Sequence, residues 1–182
     1  MKNHISSALR LTLVMLVIVG LYLGFVYAGS KILPTGGNAE IIHYKGQKFY
    51  ANIGQDFKSP KYFHGRPSAV DYNAAGSAGS NKGPSNKEYL ETVQKRIDTL
   101  KMQNPGMENI KVPVDLVTAS GSGLDPDISE GGAFYQVKRI AKVRNLSDQK
   151  LEDLIKNQTE TPLFGPSKVN VLKLNIALDN LK

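Results

Sequence analysis

The side chains that could carry out catalysis in this sequence are a serine, a histidine and an aspartate. Ser122, His64 and Asp125 could in principle serve as nucleophile, base and orienting acid of a hydrolytic site. The nucleophile elbow of many hydrolases requires Gly-x-Ser-x-Gly, and around Ser122 the first glycine falls at the wrong spacing. Nothing in the spacing of the three residues supports the site, so a serine hydrolase stays an alternative interpretation.

A second segment that could bind a ligand is the Gly-Ser loop, Ser120-Gly121-Ser122-Gly123. The backbone amides of such a segment, placed ahead of a helix N-terminus, could form an anion-binding nest. The alternative is an ordinary glycine-rich turn. No segment has the Gly-x-x-x-x-Gly-Lys-Ser/Thr pattern of a phosphate-binding P-loop.

Metal and thiol chemistry have little basis in the composition. The chain has no Cys and three His, namely His4, His43 and His64. The lack of Cys excludes disulfides, a thiolate zinc site and a thiol nucleophile, and so few His disfavour a three-His metal site. The sequence therefore predicts no catalytic residue, no metal site and no bound cofactor.

The elements that must position these side chains begin with a membrane anchor. Residues 11–30 contain no charged residue, and at about 1.5 Å per residue they would span the roughly 30 Å hydrocarbon core of a membrane. The preceding tail, residues 1–10, carries Lys2 and Arg10 and no acid, which predicts a cytoplasmic N-terminus. A cleaved signal peptide is the alternative, but the apolar stretch is longer than that of a typical signal.

The rest of the chain is predicted to lie outside the cytoplasm, as a linker at 31–38 followed by an extracytoplasmic domain at 39–182. Without Lys2 and Arg10, this part has 21 basic and 16 acidic residues and a net charge of +5. Nucleic acid is not reachable from that side, and no helix shows an arginine-rich stripe. The predicted location is the cell membrane, which the chain crosses once.

Small residues along the anchor indicate a partner within the membrane. Gly20, Gly24 and Ala28 recur every four residues and therefore share one helix face. Small residues at this spacing let the backbone of a second helix approach closely. We expect this face to pack against a partner helix, although Gly is also common in membrane helices that pack against nothing in particular.

An aromatic and basic segment lies within a long irregular stretch, residues 54–85, that is rich in Gly, Ser, Asn and Pro. Its candidate residues are Tyr62, Phe63, His64 and Arg66. Aromatic residues and Arg are enriched at the buried centres of protein interfaces, so the segment predicts a contact with another subunit. The alternative is that Tyr62 and Phe63 pin the loop to its own domain.

The remaining patterns predict one α/β or α+β domain with a small sheet and about three helices. Residues 39–44 and 48–53 flank a short turn and predict a β-hairpin. Residues 112–118 predict a strand, and residues 169–178 predict a strand that ends as a helix. Helix starts are predicted at a capping box of Ser85 and Glu88, at Asp125 and at Ser147.

Several longer strings resemble those of the C subunit of the Kdp potassium-transporting P-type ATPase of bacteria and archaea. They are YFHGRPSA at 62–69, GSN at 79–81, GPSN at 83–86, VPVDLVTASGSGLDP at 112–126 and GPSKVNVLKLNIALD at 165–179. The single N-terminal membrane helix matches as well. The resemblance covers nearly the whole chain, with the strings in the right order.

The resemblance implies an accessory role in high-affinity potassium uptake. The implied partners are a channel-like A subunit that conducts potassium, a B subunit that hydrolyses ATP and a small F peptide. The family's C subunit is not itself catalytic; it assembles and stabilises the complex and raises the ATP affinity of the B subunit. ATP and potassium are implied for the complex, and the resemblance points to Ser120–Gly123 as a nucleotide contact. This last implication conflicts with the predicted topology, which places that loop outside the cell.

Overall fold

The computed structural model describes residues 2–181 of the chain, with side chains from residue 4 onward. The chain divides into two compact units, Met1–Glu40 and Ile41–Lys182. Residues 1 and 182, at the ends of the predicted tail and of the predicted domain, lie outside the described residues.

Helix α1 (Lys2–Ser30) makes up most of the first unit. Its segment His4–Ser30 is long and apolar enough to cross a membrane. The side chains of residues 4–29 are exposed, which a mostly aliphatic helix tolerates poorly in water. The helix therefore fits a membrane-anchored chain, and it contains the predicted span at residues 11–30.

The second unit begins with the predicted hairpin, which is confirmed. Strand β1 (Ile41–Tyr44) pairs antiparallel with β2 (Gln47–Tyr50). The two residues of the turn, Lys45 and Gly46, have φ values of 49° and 76°. Two successive residues with positive φ match the twist of the flanking strands, which is why so short a connection closes this hairpin.

Helix α2 (Lys87–Gln103) begins one residue later than the capping box predicts. Its cap is Asn86, whose Oδ1 accepts the N–H of Tyr89 at 2.9 Å. The predicted box of Ser85 and Glu88 is therefore wrong, and Glu88 pairs with Lys82 Nζ at 2.8 Å instead. Asn caps helices as well as Ser does, so local pattern alone could not choose between the two neighbours.

Residues 112–118 do not form the predicted strand. A single 3-10 turn, Val114–Leu116, follows Pro113, and the N–H groups of Val117 and Thr118 both bond to the Val114 carbonyl. Leu116 and Val117 are buried while Val114 is exposed. The apolar run thus contributes to the core through a helical turn, which buries adjacent residues rather than alternate ones.

The second sheet consists of three short antiparallel strands with β5 in the centre: β3 (Asp127–Ser129), β4 (Thr159–Glu160) and β5 (Lys168–Asn170). Ile128 and Val169 form its buried central pair. The predicted helix start at Asp125 is wrong, because a strand follows it and the next helix is capped by Ser129. The second unit therefore has two small sheets with several helices, an α+β architecture.

The described residues of this unit form four further helices: α3 (Glu130–Phe134), α4 (Val137–Arg144), α5 (Asp148–Gln158) and α6 (Val171–Asp179). Ser147 caps α5 as predicted, and β5 runs directly into α6 as residues 169–178 predict. Burial of each large apolar side chain contributes roughly 1.5–3 kcal/mol. The core formed by the inner helix faces includes Tyr135, Ile140, Leu151, Ile155, Leu174 and Leu178.

Candidate functional site

The aromatic loop, residues 60–66, is neither strand nor helix, and buried side chains pair its backbone. Asn175 on α6 accepts the N–H of Phe63 at 2.8 Å and donates to its carbonyl at 2.9 Å. Gln136 does the same for His64, at 2.8 and 3.1 Å. Each buried amide thus takes the place of a neighbouring strand, which the loop lacks.

Two arginines of α4 bind the carbonyl groups of the same loop. Arg139 Nη1 donates to the carbonyls of Pro60 and Tyr62, the latter at 3.0 Å. Arg144 Nε donates to the carbonyl of Lys61 at 2.8 Å. Arg139 is only 4% exposed, and burial lowers its pKa to about 10, so the guanidinium is still charged at neutral pH.

A carboxylate at the end of α6 joins the aromatic loop to the hairpin and to α4. Asp179 Oδ2 accepts hydrogen bonds from Tyr44 Oη at 2.7 Å, Tyr62 Oη at 2.9 Å and Lys45 Nζ at 3.0 Å. Asp179 Oδ1 accepts from Arg144 Nη2 at 2.6 Å. Burial alone would raise the pKa of Asp179, but these bonds outweigh it and hold the pKa well below its ordinary value. We call this group the Asp179 clamp.

The Gly-Ser loop is bonded to the segment that follows the aromatic loop. The N–H of Ser120 donates to the Pro67 carbonyl at 3.2 Å, and the Ser68 hydroxyl donates to the Gly123 carbonyl at 2.7 Å. Gly123 has a φ of 69°, and a Cβ at this position would lie 2.6 Å from Val70 Cγ2. The Gly-Ser loop therefore packs against residues 67–70 so closely that only glycine fits at residue 123.

The three side chains of the possible hydrolytic site have other partners. Ser122 Oγ accepts a backbone N–H two residues on, at 3.1 Å. The Asp125 carboxylate binds Arg66 Nη1 at 2.9 Å, and His64 Nε2 lies 3.1 Å from the Ser59 carbonyl. Within residues 2–181, no hydrogen bond joins two of the three, so the relay of a serine hydrolase is not assembled.

The backbone donors of the Gly-Ser loop are partly used within the domain. Ser120 is buried, and its N–H is already bonded to the Pro67 carbonyl. The Ser77 hydroxyl donates to the Ser122 carbonyl at 2.9 Å and holds the turn from the other side. Such bonds are typical of an ordinary glycine-rich turn, which was the alternative to an anion-binding nest. Nucleotide contact at Ser120–Gly123 stays a prediction.

The residues predicted at a subunit interface have different surroundings. Phe63 has no exposed surface and belongs to the core, so its side chain pins the loop to its own domain. Tyr62 is bonded to Asp179, and His64 is half-buried. The guanidinium of Arg66 pairs with Asp125, while its Nε is buried without a partner among the described residues. Contact of this loop with another subunit stays a prediction.

Sequence reasoning missed the side chains that hold the aromatic loop. The available signal was a polar residue within an apolar helix, as at Asn175 between Leu174 and Ile176. Such a residue must find a hydrogen-bond partner when it is buried, but the sequence does not say which one. The missed residues are Gln136, Arg139, Arg144, Asn175 and Asp179.

The small residues of α1 have no close neighbour beside their own helix among the described residues. A Cβ added at Gly20 or Gly24 would meet nothing within 4 Å. Ala28 lies one turn further along the same helix and is exposed. The face has the space that a second helix would need, and its occupation by a partner stays a prediction.

The amino-acid sequence is similar, over nearly its whole length, to subunits of potassium-transporting ATPases. The family described as K+-transporting ATPase, c chain, matches residues 5–180. Potassium-transporting ATPase KdpC subunits of Flavobacterium johnsoniae and Flavobacterium psychrophilum are 53% and 51% identical to it, with 100% of each chain covered. The KdpC subunit of Methylococcus capsulatus is 45% identical, again with 100% of both chains covered.

Proposed function

Because the chain belongs to the KdpC family of potassium-transporting ATPase subunits, we propose that it is the non-catalytic accessory subunit of an ATP-driven potassium uptake complex. The observation that carries this proposal is the match across residues 5–180. The side chains of Ser122, His64 and Asp125 support it, because their hydrogen bonds are those of a structural scaffold. The proposed role is to assemble and stabilise the complex.

The proposed partners are the channel-like A subunit, the ATP-hydrolysing B subunit and the small F peptide. The chain would promote ATP use by the B subunit. The proposed topology places the Gly-Ser loop on the opposite side of the membrane from cytoplasmic ATP. We therefore propose that the effect on ATP use passes through assembly rather than through Ser120–Gly123.

We propose that the second unit lies outside the cytoplasm and that residues 1–10 lie inside it, since the basic tail precedes the apolar helix. The natural chain has no Cys, so single-Cys variants report sidedness cleanly. Lys87→Cys, at the exposed start of α2, should react with a membrane-impermeant maleimide in intact cells. Ser6→Cys, the matched control on the tail, should react only after lysis. Labelling of Ser6→Cys alone in intact cells would contradict the topology.

Assembly through α1 tests the proposed function. An affinity-tagged chain purified in mild detergent should recover a P-type ATPase, and Gly24→Leu should lower that recovery severalfold because the side chain blocks close helix approach. Gly29→Leu adds the same bulk to the same helix, away from the face of Gly20, Gly24 and Ala28, and should leave recovery unchanged. If the wild type recovers no P-type ATPase, the proposed function is wrong. If the wild type recovers one and Gly24→Leu recovers the same amount, the face of Gly20, Gly24 and Ala28 does not contact the partner helix.

A further inference from the structure

A cavity of about 420 Å³ lies between the aromatic loop, the end of α2 and α4. Its polar lining consists of the cationic side chains of Lys58, Arg139 and Lys142, together with His64 and Gln103. Pro60, Pro105 and Val143 supply apolar wall. None of the described residues that line the cavity is an Asp or a Glu. The cavity therefore concentrates positive charge on an apolar surface.

Among the described residues, the buried charge of Arg139 has no counter-ion. Its side chain donates to the amide oxygens of Asn104 and Gln136, at 3.0 and 2.7 Å, and to the carbonyls of Pro60 and Tyr62. All four acceptors are neutral, and they use four of the five N–H groups of a guanidinium. Within residues 2–181, the remaining hydrogen on Nη2 has no acceptor. A buried cation without a carboxylate is unusual, because desolvation penalises the charge and only the dipoles of neutral acceptors offset it here.

The neighbouring lysines add to this imbalance. Lys142 follows Arg139 by three residues on α4, so the two positive groups lie on one helix face, where like charges repel. Lys142 is exposed and forms no ion pair with the described residues. Lys58 pairs with Asp56 at 2.9 Å, but that acid does not line the cavity. A negatively charged ligand would relieve both the repulsion and the uncompensated charge.

We infer that this cavity binds a carboxylate carried on an apolar body. Proline and valine walls would accept the apolar part, and the cations would pair with the carboxylate. One fixed N–H of Arg139 is free beside two flexible ammonium groups, which supply enough donors for the two oxygens of a carboxylate. The carboxylate has two possible sources, a free organic acid or an acidic side chain of a partner subunit.

The first arm of the test uses the full chain alone in detergent, with benzoate as probe and neutral benzamide as its control. Benzoate at tenfold its dissociation constant should raise the unfolding midpoint by roughly 3 °C, and benzamide should not. In Lys142→Gln and Lys58→Gln, the benzoate concentration that gives half of this rise should be about fivefold higher. Lys156→Gln, an exposed lysine on α5 outside the cavity, should behave as the wild type.

The second arm addresses the partner source and rests on the proposed function. Lys142→Glu should lower recovery of the ATPase complex at low salt, and Lys156→Glu should not. If benzoate binds and Lys142→Glu recovers as much complex as the wild type, the carboxylate comes from a free acid. If benzoate does not bind and Lys142→Glu recovers less complex, the carboxylate comes from a partner subunit. If the wild-type complex is recovered, benzoate does not bind and Lys142→Glu assembles normally, the inference is overturned while the proposed function stands.

Discussion

Replacing Asn175 by leucine is expected to lower the unfolding midpoint of the full chain by roughly 10 °C. Leucine keeps the volume of the side chain but can neither accept the N–H of Phe63 nor donate to its carbonyl. Two buried backbone groups would then be unpaired, which costs about 2–4 kcal/mol in total. Thermal unfolding followed by circular dichroism measures the change.

Asn180→Leu is the matched control, because Asn180 lies at the end of the same helix and is exposed. Its effect should stay within about 0.5 kcal/mol, as for most surface changes. If Asn175→Leu lowered the midpoint as little as Asn180→Leu does, the backbone of Phe63 would have to be paired by another group, and the amide would not hold the loop.

Replacing Asp179 by asparagine should lower the free energy of unfolding by about 2–3 kcal/mol, because it leaves Arg144 without its carboxylate partner. The variant keeps the shape of the side chain but loses the charge that Lys45 and Arg144 share. Asp153→Asn, at an exposed position of α5, is the control and should change stability by less than about 0.5 kcal/mol.

The pH dependence of this difference distinguishes loss of charge from a packing defect. The pKa of Asp179 is lower in the folded protein than in the unfolded chain, where it is about 3.9. Its contribution is therefore complete well above pH 3.9 and is lost as the pH falls toward the folded-state pKa. The stability curves of the wild type and of Asp179→Asn should converge in acid. Parallel curves down to about pH 2.5 would show that the clamp does not act through its charge.

Local patterns predicted the elements whose signals lie within a few residues of each other. The hairpin at 41–50 follows from its turn, and Ser147 caps α5 as its position indicates. The apolar run at 112–118 was assigned to the wrong element, because a short apolar segment fits a buried turn as well as a strand. The start of α2 was misplaced by one residue, because Ser85 and Asn86 are both good caps.

The candidate site was predictable in part. The aromatic loop and the Gly-Ser loop stood out as segments, yet the packing of the Gly-Ser loop against Ser68 and Val70 and the burial of Phe63 did not. The side chains that fix them, such as Gln136 and Asn175, bond to backbone groups far away in sequence. Every residue except proline has a backbone N–H, so the residue type does not show which one bonds to a distant side-chain amide.

The long-range hydrogen bonds of Asn175 and Asp179 on α6 have a consequence for the order of events during synthesis. Tyr44 and Asp179 are 135 residues apart, and Phe63 and Asn175 are 112 residues apart. At about 5–20 residues per second, the ribosome adds the latter 112 residues in roughly 6–22 s. During that time the hairpin and the aromatic loop have been synthesised, but α6, whose side chains bond to them, has not. The high contact order of these bonds delays closure of the domain until α6, the last helix among the described residues, emerges.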